Sequence, residues 1–176
     1  MERYSKIEEW FCAYGSDVHH FLVYYLGDNN VEDLVQDVFI KALKGFYRYE
    51  GRSSPKTWLF AIARRVAMDH ERKHKLAGLL TIRLSKEIRI SDKTFDELIF
   101  MREDLASIYS IMKKLKRSYR EVLLLRVMGD FTAAETADIL HWSIPKVNVT
   151  LHRALKKLRD HYDKIEGGVE HVAERA

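Results

Sequence analysis

This sequence is poor in the residues that cross-link, kink or loosen a chain: it has one cysteine, two prolines and eight glycines. Cys12 has no second cysteine to pair with, which excludes an internal disulfide and a cysteine-rich zinc site and fits a reducing compartment. No apolar run approaches the roughly 18–20 residues of a membrane-spanning helix. The first residues include Glu2, Glu8 and Glu9, where a signal peptide would be basic and then apolar. A cytoplasmic protein is expected. With so few helix breakers, 47% hydrophobic and 32% charged residues, the composition suits helices throughout and leaves little room for low-complexity disorder.

A length of 176 residues supports one medium domain or two small ones, because one core usually serves about 100–200 residues. The net charge of +4 conceals an asymmetry. Residues 1–50 hold five basic and nine acidic side chains, 51–75 seven and two, 76–110 five and six, and 111–176 thirteen and nine. Clustered charge is ordinarily a solvated face; two separate basic segments point to two separate contacts with an anion.

Apolar periodicity divides the chain. Val18, Phe21, Leu22 and Tyr25 recur at helical spacing, and Gly27-Asp28-Asn29-Asn30 supplies residues that stop one helix and cap the next. In that next helix Val31, Leu34, Val35, Val38, Phe39 and Ala42 fall on one stripe, which turns Glu32, Asp33, Gln36 and Asp37 outward as an acidic face. Gly51-Arg52-Ser53-Ser54-Pro55 breaks the pattern. Ser54 is placed to cap a third helix with Pro55 at its first position; Trp58, Leu59, Ile62, Ala63 and Val66 form its buried stripe beside exposed Arg64, Arg65 and Arg72. From about Ala77 to Asp104 no single period holds, so a linker is expected, with helical ends and with Phe95, Leu98, Ile99 and Met101 able to dock on a neighbour.

Helical spacing returns at Leu105, with Ile108, Ile111, Met112 and Leu115 and, after a break near Arg117-Ser118, Val122, Leu123, Leu125 and Val127. Thr132-Ala133-Ala134-Glu135 has capping-box spacing and opens a short helix through Leu140. A turn at His141-Trp142-Ser143 leads to a final helix from Pro145 to Leu158, with a frayed tail from Glu166. In that helix Val147, Leu151, Ala154, Leu155 and Leu158 make an apolar stripe, and Lys146, Asn148, Val149, Thr150, His152 and Arg153 surround it. A short small-residue helix supporting a second helix with a polar face is the logic of a helix-turn-helix, whose second helix enters a major groove about 12 Å wide. Asparagine reads adenine bidentately, and lysine and arginine hold phosphates or guanine. Lys156, Lys157 and Arg159 extend the positive edge. A plain helical hairpin matches the same pattern.

The same residues carry a family resemblance. Ser118-Tyr119-Arg120-Glu121-Val122-Leu123-Leu124-Leu125 and His152-Arg153-Ala154-Leu155-Lys156-Lys157-Leu158-Arg159 resemble region 4 of the extracytoplasmic-function (ECF) sigma factors. Glu32-Asp33-Leu34-Val35-Gln36-Asp37-Val38-Phe39 resembles region 2.2 of that family, and Lys56 to Arg64 with Asp69 and Arg72 resembles regions 2.3 and 2.4. The two motifs stand in the family's order over roughly residues 10–160. The resemblance implies an all-α protein of two small helical domains: region 2 over 1–76, a linker over 77–104, region 4 over 105–165 and a flexible tail over 166–176. It implies a non-enzymatic factor without cofactor, metal or small-molecule substrate, which directs RNA polymerase core to promoter DNA in an envelope or stress response. Asp33, Gln36 and Asp37 would bind the clamp of the largest polymerase subunit. Tyr49, Arg52, Ser53, Ser54, Lys56, Phe60, Arg64 and Arg65 would grip the minus-ten element as a partly opened strand, aromatic faces stacking bases and arginines neutralising phosphates. Asn148, Val149, Thr150, His152 and Arg153 would face the minus-thirty-five duplex, with Lys146 on its backbone. An anti-sigma factor is the expected regulator. Where the family often has asparagine this chain has Arg65, His141 and Pro145 replace common glycines, and Asn148-Val149-Thr150 replaces a more basic trio, so the family's average promoter sequence does not transfer.

Two other readings compete. A stand-alone helix-turn-helix regulator would bind duplex DNA without polymerase. His70-Glu71-Arg72-Lys73-His74 spells the H-E-x-x-H zinc signature. Eight histidines make a chance match common, and Arg64, Arg65, Arg72, Lys73 and Lys75 crowd the stretch with charge that opposes a dication, so exposed histidines on a DNA-facing helix are expected instead. His19 and His20 are expected at the surface or in packing, and Trp10, Phe11, Trp58 and Trp142 as core anchors, with Trp58 also close enough to the strand-binding loop to contact DNA.

Overall fold

A computed structural model describes the backbone of residues 2–84, 112 and 114–173, with side chains over 3–77, 112 and 114–161. Every regular element among the described residues is helical. The chain forms two compact units, one built on Met1–Glu97 together with Asp138–His141, the other on Leu98–Ala137 and Trp142–Ala176.

In the first unit α1 (Glu2–Leu26), α2 (Glu32–Gly45) and α3 (Pro55–Leu84) pack against one another, with a single 3₁₀ turn at Phe46–Arg48 after α2. The predicted stripes meet in its core: Val18, Leu22, Tyr25, Val31, Val38 and Leu59 are fully buried, each aliphatic side chain contributing about 1.5–3 kcal/mol relative to exposure. Gly27 ends α1 in the left-handed region at φ 72°, and its N–H donates to the Val23 carbonyl at 2.7 Å, a geometry that glycine adopts without steric cost. The expected side-chain cap on α2 is absent. Asp28 instead accepts from the Asn30 N–H at 2.9 Å within the loop, and the N-cap position falls on Val31, which the core has drawn in. Glu32 and Asp33 in the first turn complement the helix dipole.

The second unit holds α4 (Arg117–Leu123), a π turn (Leu124–Met128), the start of α5 (Ala133–Leu140), whose residues from Asp138 group with the first unit, and α6 (Ile144–Ala173). Its core is drawn from Val122, Leu123, Leu125, Phe131, Ala137, Val147 and Ala154, and α4 packs along α6. Buried Glu121 accepts from Arg117 Nε at 3.2 Å, so its charge is compensated. The expected stripe fails at Val127, which is 59% exposed. The π turn is the reason: the Gly129 N–H reaches back five residues to the Leu124 carbonyl at 2.8 Å, which rotates the last residues of the turn off the buried face. Arg126 Nη1 donates to the Phe131 carbonyl and closes the loop that follows.

Helix α3 continues to Leu84, into the segment read as a linker, and the helical backbone of α6 continues to Ala173, past Glu166 where fraying was expected. Phe95, Leu98, Ile99 and Met101, with Leu105, Ile108 and Ile111, lie outside the described residues.

Candidate nucleic-acid interface

Three surfaces emerge from these elements. On α2, Val35, Val38, Phe39 and Ala42 point into the core, so Asp33, Gln36 and Asp37 stand exposed on the opposite side, one helical turn apart. Glu32 joins them and lies 3.7 Å from His19 on α1.

The second surface is the entry to α3. Tyr49 is half-buried in an aromatic cluster: its ring centroid is 5.2 Å from Trp10 and 5.1 Å from Trp58, and its hydroxyl donates to the Ser53 carbonyl at 2.7 Å. Burial, then the neighbouring Tyr14, push its phenol pKa above the usual value, so the hydroxyl remains a donor at neutral pH. Ser54 caps α3 as its position predicts, its Oγ accepting from the Thr57 N–H at 3.1 Å. Gly51 turns the loop at φ 70°. Arg52 is exposed and pairs with Glu50 at 2.6 Å; Lys56 pairs with Asp17 of α1 at 2.9 Å. The sequence held no signal for that last pair, since its members are distant along the chain. Arg65 is exposed and Arg64 half-buried. Phe60 departs from the expectation. It is 2% exposed with its ring centroid 5.2 Å from Phe21, so it is a core residue with no face open for a base. Trp10 is the expected core anchor, whereas Phe11 is half exposed and covers Phe39 edge-on at 4.9 Å.

The third surface is the helix-turn-helix formed by α5 and α6. Thr132 and Glu135 form the predicted capping box: the Thr132 N–H and hydroxyl donate to Glu135 Oε2 at 2.9 and 2.8 Å, and the Glu135 N–H donates to Thr132 Oγ1 at 3.2 Å. His141 takes a left-handed backbone at φ 55°, where the family commonly has glycine, and the Trp142 N–H closes the turn on the Ala137 carbonyl at 2.9 Å. Val147 and Ala154 are the fully buried seam of α6, with Leu151 and Leu158 half-buried beside them; Leu155, expected in the stripe, is 41% exposed. Asn148, Val149, His152 and Arg153 are exposed, and Thr150 is half-buried. Trp142, expected in the core, is half-buried, and the Lys146 ammonium sits 4.1 Å from its ring centroid.

His70 and His74 lie one turn apart with ring centroids separated by 4.7 Å. Burial, then His74, lower the pKa of His70. Among the described residues no group of three or more His, Cys, Asp or Glu side chains is arranged to hold a metal ion. No described helix is long and apolar enough to cross a membrane.

The profile of Sigma-70 region 2 matches residues 10–76, and that of Sigma-70, region 4 matches residues 105–158. The chain is 38% identical over 158 residues to the ECF RNA polymerase sigma factor SigX of Bacillus subtilis, spanning 87% of this chain and 81% of that protein. It is 31% identical over 170 residues to the RNA polymerase sigma factor YlaC of the same organism, spanning 93% and 96%. Among solved structures it resembles the sigma factor RpoE of Bartonella quintana, in complex with the anti-sigma factor NepR, with a TM-score of 0.70 at 21% identity over 88% of this chain and 95% of that one. It also resembles CnrH, in complex with the cytosolic domain of CnrY, with a TM-score of 0.67 at 22% identity over 90% and 88%. The acidic face, the capped basic helix and the helix-turn-helix thus stand where two sigma-70 regions match, and the chain belongs to the ECF sigma factors, which direct RNA polymerase to promoters for transcription initiation.

Proposed function

We propose that the three surfaces divide the work of initiation among themselves. Asp33, Gln36 and Asp37 dock on the clamp of the polymerase core. Tyr49, Arg52, Ser53, Ser54, Lys56, Arg64 and Arg65 hold the minus-ten strand. Asn148, Val149, Thr150, His152 and Arg153 face the minus-thirty-five duplex, with Lys146 on its backbone. On this reading residues 1–76 act as region 2 and 105–165 as region 4, and the protein is a cytoplasmic, non-enzymatic factor. Two weak, salt-sensitive DNA contacts on one chain reinforce each other through effective concentration.

The observation that carries the reading is the segregation of charge by helix face. The carboxylates of the first two turns of α2 stand exposed directly behind buried Val35, Val38 and Phe39, with Lys41 and Lys44 following toward its end, while Arg52, Arg65, Arg72, Lys73 and Lys75 are exposed on the loop before α3 and on α3 itself. A duplex-binding regulator that never met polymerase would have no use for exposed carboxylates at Asp33 and Asp37 beside a basic helix. An anti-sigma factor is the expected regulator, supported by the fold shared with RpoE, which was solved bound to one.

The test is Asp37→Arg. The substitution is at an exposed position, so the melting transition is expected to stay put while association with purified core polymerase falls by at least about tenfold. Run-off transcription that survives the change would remove Asp37 from the docking face.

A further inference from the structure

We infer that Trp142 is a positioning residue for DNA binding: its indole holds the Lys146 ammonium in place at the start of α6, so that the lysine meets a backbone phosphate already oriented. This inference rests on the reading that α6 faces the minus-thirty-five duplex and adds to it a residue that touches no base.

Lysine is a poor fixed cation. Its charge sits at the end of four rotatable bonds and is strongly hydrated, so immobilising it on a phosphate costs rotamer entropy at the moment of binding. Lys146 is exposed, yet its ammonium lies 4.1 Å from the Trp142 ring centroid, well inside the ~6 Å reach of a cation–π contact, and tryptophan is the aromatic with the strongest face for it. Lys146 stays exposed while it makes this contact.

Both ends of this contact are anchored in backbone. The Trp142 N–H is bound to the Ala137 carbonyl at 2.9 Å, directly after the left-handed His141, so the root of the indole is part of the turn and does not swing with the side chain. Lys146 lies in the first turn of α6, followed by fully buried Val147, whose N–H donates to the Ser143 carbonyl at 3.1 Å. The ring is half-buried and makes contact with the Lys146 ammonium. Lys146 lies two residues before the exposed Asn148, Val149, His152 and Arg153 surface, where a phosphate contact sets the register from which base edges are read.

The experiment uses holoenzyme reconstituted with purified core polymerase on a promoter selected by the wild-type holoenzyme from a randomised library. Affinity is measured across a salt series for Trp142→Ala, Trp142→Phe, Lys146→Gln and the double variant Trp142→Ala/Lys146→Gln. Lys146→Gln is expected to weaken binding and to reduce the slope of log affinity against log salt by about 1. Trp142→Ala is expected to cost about two- to fivefold, Trp142→Phe less, and Trp142→Ala nothing further once Lys146 is glutamine. Carbon-edited NMR of the free protein supplies a readout independent of DNA: the ring current displaces the Lys146 ε-methylene protons upfield, and Trp142→Ala restores them. Equal losses from Trp142→Ala with and without Lys146, or an undisplaced ε-methylene in the wild type, would overturn the inference. Asn148→Ala and Arg153→Ala separate the two levels. If these also leave binding unchanged, the assignment of α6 to the duplex has failed; if they weaken it while the Trp142 and Lys146 variants do not, only the positioning role has.

Discussion

Helices α3 and α6 are alike in outline and opposite in use. Each is 30 residues long, each has proline in its first turn, and each carries a run of basic residues. Yet α3 is wrapped by α1 and α2 and buries Thr57, Leu59, Phe60, Ala63, Val66 and Ala67, whereas α6, over its described side chains, buries only Val147 and Ala154. A helix with one narrow seam has most of its circumference free, and α6 spends that freedom on Asn148, Val149, His152 and Arg153. Helix α3 is enclosed over its first half and exposed on every side from Arg72 to Ala77, and the loop before it, from Tyr49 to Ser54, carries further exposed polar groups. The difference shows two ways of presenting polar groups: an enclosed helix that leaves them to a loop, and a surface helix that offers a face.

The contrast can be broken most directly through burial. Leu59→Ala should destabilise the first unit by about 2–5 kcal/mol, while Leu155→Ala on α6 should fall within about 0.5 kcal/mol of the parent. Denaturant unfolding checks both, with Trp10 and Trp58 reporting the first unit and Trp142 the second. A large loss at Leu155 would mean that α6 is a core helix after all. The buttress of α6 is next: a Cβ on Gly129 would lie 2.9 Å from Phe131 Cδ2 and 3.1 Å from the Leu125 carbonyl, so Gly129→Ala should cost the second unit about 1–3 kcal/mol, read from the same curves.

The caps come third. Ser54→Ala, at the entry to α3, and Thr132→Ala, at the entry to the helix-turn-helix, should each lower stability by about 1 kcal/mol in their own unit, seen as separate shifts in thermal unfolding. The smallest effect is that of pH. His70 on α3 has a pKa below its unfolded value, so the unfolded chain binds more protons than the native one between the two pKa values. Its contribution is therefore intact above about pH 6.5 and lost as the pH falls through the lower native pKa. His70→Gln should flatten that part of the stability profile of the first unit between neutral and mildly acidic pH, and an unchanged profile would contradict the shift.

Much of this was readable beforehand where the physics is local. Capping boxes work over three residues, so Ser54 and Thr132 declared themselves by spacing. The acidic face of α2 was legible because an amphipathic period that buries Val35, Val38 and Phe39 leaves Asp33, Gln36 and Asp37 no other side. Phe60 was misread because a strand-gripping aromatic and a core aromatic look the same in sequence; only the approach of Phe21 from α1 tells them apart. Val127 was misread because a π turn changes the helical period, and nothing in the residues around it forces that change.

The order of apolar and polar residues was enough, unaided, to determine that this chain is helical, that it has two basic regions and an acidic face, and which family it resembles, because side chains three and four apart share a surface whatever the rest of the chain does. Which helices are enclosed and which are merely attached was decided by tertiary structure, because burial depends on what arrives from elsewhere. The same holds for the Asp17–Lys56 pair and for the indole beneath Lys146. A contact between distant residues, or across a turn whose backbone must first close, exists only once the chain has folded around it.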